Sequence, residues 1–300
     1  MSWTNYHSHC DFCDGGAPAE SYLLEAIAQG FRVYGYSSHA PLPFERPWAM
    51  PQDKLGQYIQ QLSTLRTKYL GQIELCIGLE IDYLPGVSWW DFHGQALRNL
   101  DYTIGSVHMV EAFPDNRPWE VDGTTAEFEQ GLAQIFKGDF KAAATRYFEL
   151  IRWMVMLENP DIIGHFDKLK IHNLGGKYFS EEDNWYRREV DKTLKVISNM
   201  GSIVEVNTRG IYTGKSLDLY PSQWILERMH AMRIPVMINS DAHLPAEIST
   251  GFEFAARTLQ KAGFRQVMVL LDGHWQSVPL DEKGLRIAGM DESVGKRRSA

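Results

Sequence analysis

The chain has 300 residues, 44% of them hydrophobic, and carries a formal charge of −8 with a pI near 5.7. That is enough apolar material for one large α/β domain, and so acidic a chain excludes a broad nucleic-acid footprint, which needs a basic face. No apolar run nears the roughly 20 residues that span a bilayer, the N-terminus lacks a basic segment followed by an apolar core, and three cysteines argue against a disulfide framework. A soluble, cytoplasmic protein with neither membrane nor nucleic-acid partners is expected. A small anionic ligand and a homo-oligomer both remain compatible with this composition.

Residues 3–9 read as a first strand. His7 and His9 are two apart, so in an extended chain both imidazoles point the same way and can reach one ion. Two surface histidines at this spacing are commonplace, so the pair gains weight only from the histidines and carboxylates at later strand ends. Residues 19–30 read as a helix with Leu23, Leu24, Ile27 and Ala28 on one face, closed by Gly30. A strand over 31–37 stops at His39, before the Pro-rich loop that begins Ala40-Pro41-Leu42-Pro43. A helix over about 51–70, with Pro51 in its first turn, leads to a third strand at 72–78 that runs into Glu80 and Asp82. Residues 88–100 read as helical, and 102–107 as a fourth strand ending at His108. The stretch from about 110 to 138–140 has no clear period and reads as a loop insertion. A helix follows over about 140–157, with Leu150, Ile151, Met154 and Leu157 on one side. A short fifth strand over 161–164 ends at His165. Helix 181–199, strand 202–206 and helix 222–232 come next, then strand 234–239, which delivers Asp241 and His243. Helix 246–262 and a terminal strand at 266–271 precede a polar tail from about 283 to 300.

Strands alternating with helices predict a parallel sheet. Its closure into a barrel gathers the C-terminal strand ends at one mouth, where His7, His9, His39, Glu80, His108, His165, Asp241 and His243 all stand; an open doubly wound sheet would scatter them along an edge. Each histidine singly also fits a capping role. Jointly, two carboxylates and six imidazoles exceed the four or so donors that one zinc takes, and mixed nitrogen and oxygen ligation suits Zn, Fe or Mn. Cys10 and Cys13 form a C-x-x-C without a second pair, a weak signal for redox or thiolate chemistry. His93, His172, His230 and His274 lack the strand-end placement and read as surface or packing residues.

The motifs HSH, SHAPLP, GLEIDY, GSVH, IIGHFD, EVNT and SDAH, in that order, resemble the PHP (polymerase and histidinol phosphatase) family over roughly residues 7–263. SHAPLP and IIGHFD resemble in particular the monofunctional histidinol-phosphate phosphatases of histidine biosynthesis. The resemblance implies one PHP-type domain over 1–300, a distorted (βα)7 TIM-like barrel holding three divalent ions. It assigns His7, His9, Glu80 and Asp241 to a first ion and Asp14, His39 and His243 to a second. His108 and His165, with Glu80 bridging, take the third. Asp11 rivals Asp14, which is preferred for its Cys-Asp-Gly context, and Glu205 and Asn207 are candidates to support the ligands.

The implied reaction is hydrolysis of a phosphomonoester, histidinol phosphate, by water activated on the ions, without a phosphoenzyme. Asp241 or His243 would hold or shuttle the proton beside Glu80, and Arg209 and Lys215 are the basic residues placed nearest the phosphate. Both equally suit a solvated loop. The substrate's imidazole and ammonium need an acceptor or an aromatic wall, which the 41–48 loop and the 113–122 segment both offer. A PHP hydrolase of nucleotides or nucleic-acid ends, and a metal-binding barrel without turnover, are the alternatives.

Overall fold

The computed structural model of the protein describes residues 2–287. In chain order its strands are β1 (Thr4–Asn5), β2 (Val33–Tyr36), β3 (Glu74–Asp82), β4 (Tyr102–Ser106), β5 (Met109–Ala112) and β6 (Pro118–Glu120), followed by β7 (Ile162–Ile163), β8 (Ile203–Asn207), β9 (Val236–Asn239), β10 (Gln266–Leu271), β11 (His274–Asp281) and β12 (Gly284–Leu285). Seven of them form one sheet in the order β1-β2-β3-β4-β7-β8-β9, every pair parallel.

The two edges of that sheet meet, giving a nearly closed barrel and not an open doubly wound sheet. The join is made mostly by side chains. The Asn5 amide donates to Ser240 Oγ (2.9 Å), its carbonyl accepts from the Ser240 N–H (3.1 Å), and Asn239 Oδ1 accepts from the Tyr6 N–H (2.8 Å). One backbone bridge, Ser8 with Ala242, continues it, with His9 N–H on the Ala242 carbonyl at 2.8 Å.

Helices ring the barrel and bury one stripe each. In Phe252–Lys261 the spacing of Phe252, Ala255, Ala256 and Leu259 puts four apolar side chains on the inner face. Inside, Tyr102 fills the barrel beneath the mouth, its hydroxyl 2.5 Å from the Tyr6 carbonyl and 2.8 Å from that of Tyr36. Gly35 and Gly78 make room for it: a Cβ at Gly78 would lie 2.5 Å from the Tyr102 ring, and one at Gly35 2.6 Å from its hydroxyl.

Several expectations are corrected. Strand β3 runs on to Asp82, so Glu80 lies inside it and not beyond its end. The first helix, Ala19–Ala28, buries Tyr22, Leu23 and Ala26 and leaves Leu24 exposed, and Leu157 is likewise exposed. Residues 110–140 are not a loop: β5 and β6 pair antiparallel, and Thr125–Phe136 is a helix started by a capping box between Thr124 and Glu127. The strand at 266–271 is not terminal, because β10, β11 and β12 form an antiparallel sheet fastened to the start of β1 through Ser2 and Leu285. The expected tail therefore begins inside ordered pairing at 284–285, and its remainder, 288–300, lies outside the described residues. Among the described residues no helix is long and apolar enough to cross a membrane.

Candidate active site

Glu80 is the centre of the site, because the extension of β3 carries its side chain into the mouth, where the chain beyond the neighbouring strands also arrives. One carboxylate oxygen, Oε2, lies 3.2 Å from His7 Nε2, 3.5 Å from His9 Nε2 and 3.0 Å from His39 Nδ1. The other, Oε1, lies 3.0 Å from His165 Nε2 and 3.7 Å from His108 Nε2, and accepts from Ser106 Oγ at 2.6 Å. Asp241 sits across from it, with Oδ1 3.2 Å from His9 Nε2 and 3.8 Å from His7 Nε2. The turn that aims it there has φ of 54° at Asp241, a left-handed conformation that Asp tolerates better than most residues. Asp14 completes the rim, 3.2 Å from His243 Nε2, 3.8 Å from His9 Nδ1 and 3.9 Å from His39 Nε2. Its rival Asp11 is exposed and lines a different groove.

All nine expected metal ligands therefore converge. The ligand atoms of eight of them close to within 4.8 Å of one another in three overlapping groups: His9, Asp14, His39 and His243; His7, His9 and Asp241; His39, Glu80 and His108. The overlap differs from the expected partition in that His9 and His39 are each shared between two groups; His165 lies outside the three groups but against Glu80, the bridge expected for it.

Buried partners orient the rings. His7 Nδ1 donates to Glu205 Oε2 at 2.6 Å, and His108 Nδ1 to Asp82 Oδ1 at 2.9 Å, which turns each Nε2 toward the mouth. Burial penalises every charge here, yet Glu80 is held well below the usual carboxylate range by His7, His39 and His108, and Asp241 by His7, His9 and Arg209. His9 is pushed toward its neutral form by burial and by His243 and His39, and His165 by burial and Lys168. His108 goes the other way, up to about 9, because Asp82 outweighs its burial.

His7 Nε2, His9 Nε2 and His39 Nδ1 are buried without a hydrogen-bond partner, although each lies close to a carboxylate oxygen. Orphaned buried nitrogens that all face anionic oxygens are what a cation between them would satisfy, and the nitrogen and oxygen donors suit Zn, Fe or Mn. The thiols do not join in. Cys10 is turned to Ser38, with burial pushing its pKa up to about 11, and burial also raises that of Cys13, whose sulfur lies 3.6 Å from His9 Nδ1.

A cavity of about 670 Å³ opens above the cage. Arg209 lines it, its guanidinium fixed by the Asp241 carbonyl (2.9 Å) and the Tyr212 hydroxyl (3.2 Å), while Lys215 stands exposed on the rim. Sequence reasoning missed Lys168, whose ammonium lies 3.2 Å from His108 Nε2, 3.5 Å from His165 Nε2 and 2.9 Å from Asp122 Oδ2. Its only signal was its place three residues after His165, which the turn there brings together through the Lys168 N–H on the His165 carbonyl. His172 also lines the cavity, stacked 4.3 Å from Phe128. Of the other histidines expected outside the site, His93 is buried and His230 and His274 are exposed.

The sequence profile of the PHP domain family matches residues 5–209, which carry most of this cage. The chain belongs to the PHP family. A histidinol-phosphatase of Bacillus subtilis is 27% identical over 266 residues, covering 82% of this chain and 96% of that protein. Two solved structures share the fold. One is a Listeria monocytogenes protein proposed to be a histidinol phosphatase, with a TM-score of 0.75 at 23% identity, covering 84% of this chain and 99% of that one. The other is the histidinol phosphate phosphatase of Lactococcus lactis, solved with zinc, L-histidinol and phosphate, with a TM-score of 0.65 at 20% identity, covering 95% and 99%.

Proposed function

We propose that this PHP protein is a metal-dependent histidinol-phosphate phosphatase, converting L-histidinol phosphate to L-histidinol and inorganic phosphate. The observation that carries the reading is the convergence of six imidazoles and three carboxylates on one rim, under a cavity that also presents Lys168 and Arg209. The histidinol-phosphatases among its relatives support the substrate. His7, His9, Asp14, His39, Glu80, His108, His165, Asp241 and His243 would hold three divalent ions, zinc, iron or manganese. Such ions supply Lewis acidity toward phosphoryl oxygens and lower the pKa of water.

The protein's own groups do the rest. The Lys168 ammonium, with its mobile donors, binds phosphate oxygens and offsets charge that grows on them. Arg209 fixes the Asp241 backbone and adds positive charge to the same wall. Asp241, kept ionised by His7, His9 and Arg209, receives the proton of the attacking water at Oδ1. His243 donates from Nδ1 to the Asp241 carbonyl at 3.1 Å, which holds this base in place on the solvent side of the cage. Glu80 spaces the imidazoles, and Lys215 extends the basic wall at the rim.

The test is turnover of histidinol phosphate, nucleoside monophosphates and single-stranded DNA by metal-replete protein, repeated after chelation and after readdition of Zn or Mn. Activity on histidinol phosphate should lead, vanish with the metal and return with it. Preference for nucleotides or DNA would replace the reading with another phosphoesterase, and turnover that survives complete demetallation would refute the metal dependence.

A further inference from the structure

Apart from the carboxylates of the cage, two sets of charges line the cavity: Lys168, Arg209 and Lys215, and with them Glu120, Asp122 and Glu127. The acidic set is unequally committed. Asp122 is tied to Lys168 at 2.9 Å, and Glu127 caps the helix Thr125–Phe136 through Thr124. Glu120 accepts from Arg46 Nε at 2.8 Å through Oε1, while its Oε2 has no hydrogen-bond partner among the described residues.

Glu120 also stands at a branch. A side chamber of about 260 Å³ adjoins the main cavity, and Trp48, Glu120, Gly123 and Glu127 line both. The Trp48 ring meets the cage directly, edge-on to His39 at 4.7 Å and 5.7 Å from His108. A group held between Trp48 and Glu120 is therefore one short molecule's length from the metal ligands. Arg46 and Arg117 line the chamber too, but each faces a counter-group: Arg46 lies on Glu120 Oε1, and Arg117 lies 4.1 Å over the Phe113 ring and 3.9 Å from Asp115. Burial and the Asp122 charge raise the Glu120 pKa despite Arg46, so a further cation there would relieve an unfavourable anion.

We infer that Trp48 and Glu120 form the specificity subsite for the cationic, nitrogen-bearing end of the substrate, with Glu120 Oε2 accepting from the ammonium or imidazolium and the Trp48 face as its wall. The phosphate then lies over the cage, and the enzyme selects monoesters by the charge at their far end. This rests on the histidinol-phosphate reading and goes beyond it by naming the residues that choose the substrate.

The readout is a ratio: kcat/KM for histidinol phosphate divided by kcat/KM for p-nitrophenyl phosphate, which has no cationic end. In Glu120→Gln the ratio should fall about 10–100-fold, the size of a lost charged hydrogen bond, mainly through KM for histidinol phosphate. Arg46→Leu, which removes the ion pair but keeps the carboxylate, should hold the ratio within a few-fold of wild type. An unchanged ratio in Glu120→Gln, an equal loss on both substrates, or an Arg46→Leu variant that loses the ratio as fully as Glu120→Gln would each overturn the inference. The wild-type ratio is read first, so an enzyme with no preference for histidinol phosphate is recognised separately: it removes the parent reading and this subsite with it.

Discussion

Replacing Glu205 by Gln isolates what the buried support of the cage contributes. Glu205 Oε2 accepts from His7 Nδ1 (2.6 Å) and the Asn239 amide (3.0 Å); Oε1 accepts from the Asn207 amide (2.7 Å) and the His165 N–H (3.0 Å). Four donors converge on two oxygens, so a glutamine of the same shape must turn its NH2 toward two of them. Either His7 and Asn239 or Asn207 and His165 lose their acceptor. A lost charged hydrogen bond of this kind costs about 1.5–3 kcal/mol, and changes in groups that orient metal-ligating histidines typically weaken metal affinity by about 10–100-fold. Competition with a chromogenic chelator should show that loss for Zn or Mn, and demetallated Glu205→Gln should also melt below demetallated wild type. Metal affinity within threefold of wild type, with matching melting of the metal-free forms, would refute the idea that this carboxylate organises the cage.

Two further predictions concern the scaffold. Gly78→Ala places a methyl 2.5 Å from the buried Tyr102 ring and should cost about 1–3 kcal/mol, read as a lower Tm, with Tyr102→Leu recovering part of it. His93 is buried with an unpartnered Nδ1, and burial lowers its pKa to about 4. The unfolded chain therefore binds a proton between pH 6.5 and 4 that the folded chain refuses, and stability is lost as pH falls through that window, by roughly 3 kcal/mol at most. Urea unfolding of His93→Phe should show a shallower fall over this range than wild type, and parallel curves would show that His93 is not the group responsible.

The barrel and the cage were legible because both rest on short periods. Alternation within strands puts His7 and His9 on one side, and the repeated change from strand to helix brings distant strand ends to one rim. Where a residue serves packing and punctuation alike, reading failed. Gly78 reads as the stop of the third strand, but it is there to clear the Tyr102 ring, and β3 continues through it to carry Glu80 inward. Trp119, Glu120 and Asp122 lie in an aperiodic acidic stretch, and only the pairing of β5 with β6 and the capping box after it set where their side chains lie. Lys168 looks like an ordinary surface charge until the turn after His165 folds it back over the two imidazoles.

The amide-mediated junction between the first and last strands of the barrel lies just before His7 and Asp241, each two residues beyond the end of its strand. An ion held by both would act as a clasp on the weakest stretch of the backbone ladder. Stripping it should loosen that stretch first, so amide exchange on metal withdrawal should rise soonest around residues 5–9 and 239–243, and catalytic competence and the integrity of the ring are then tied to the same few atoms.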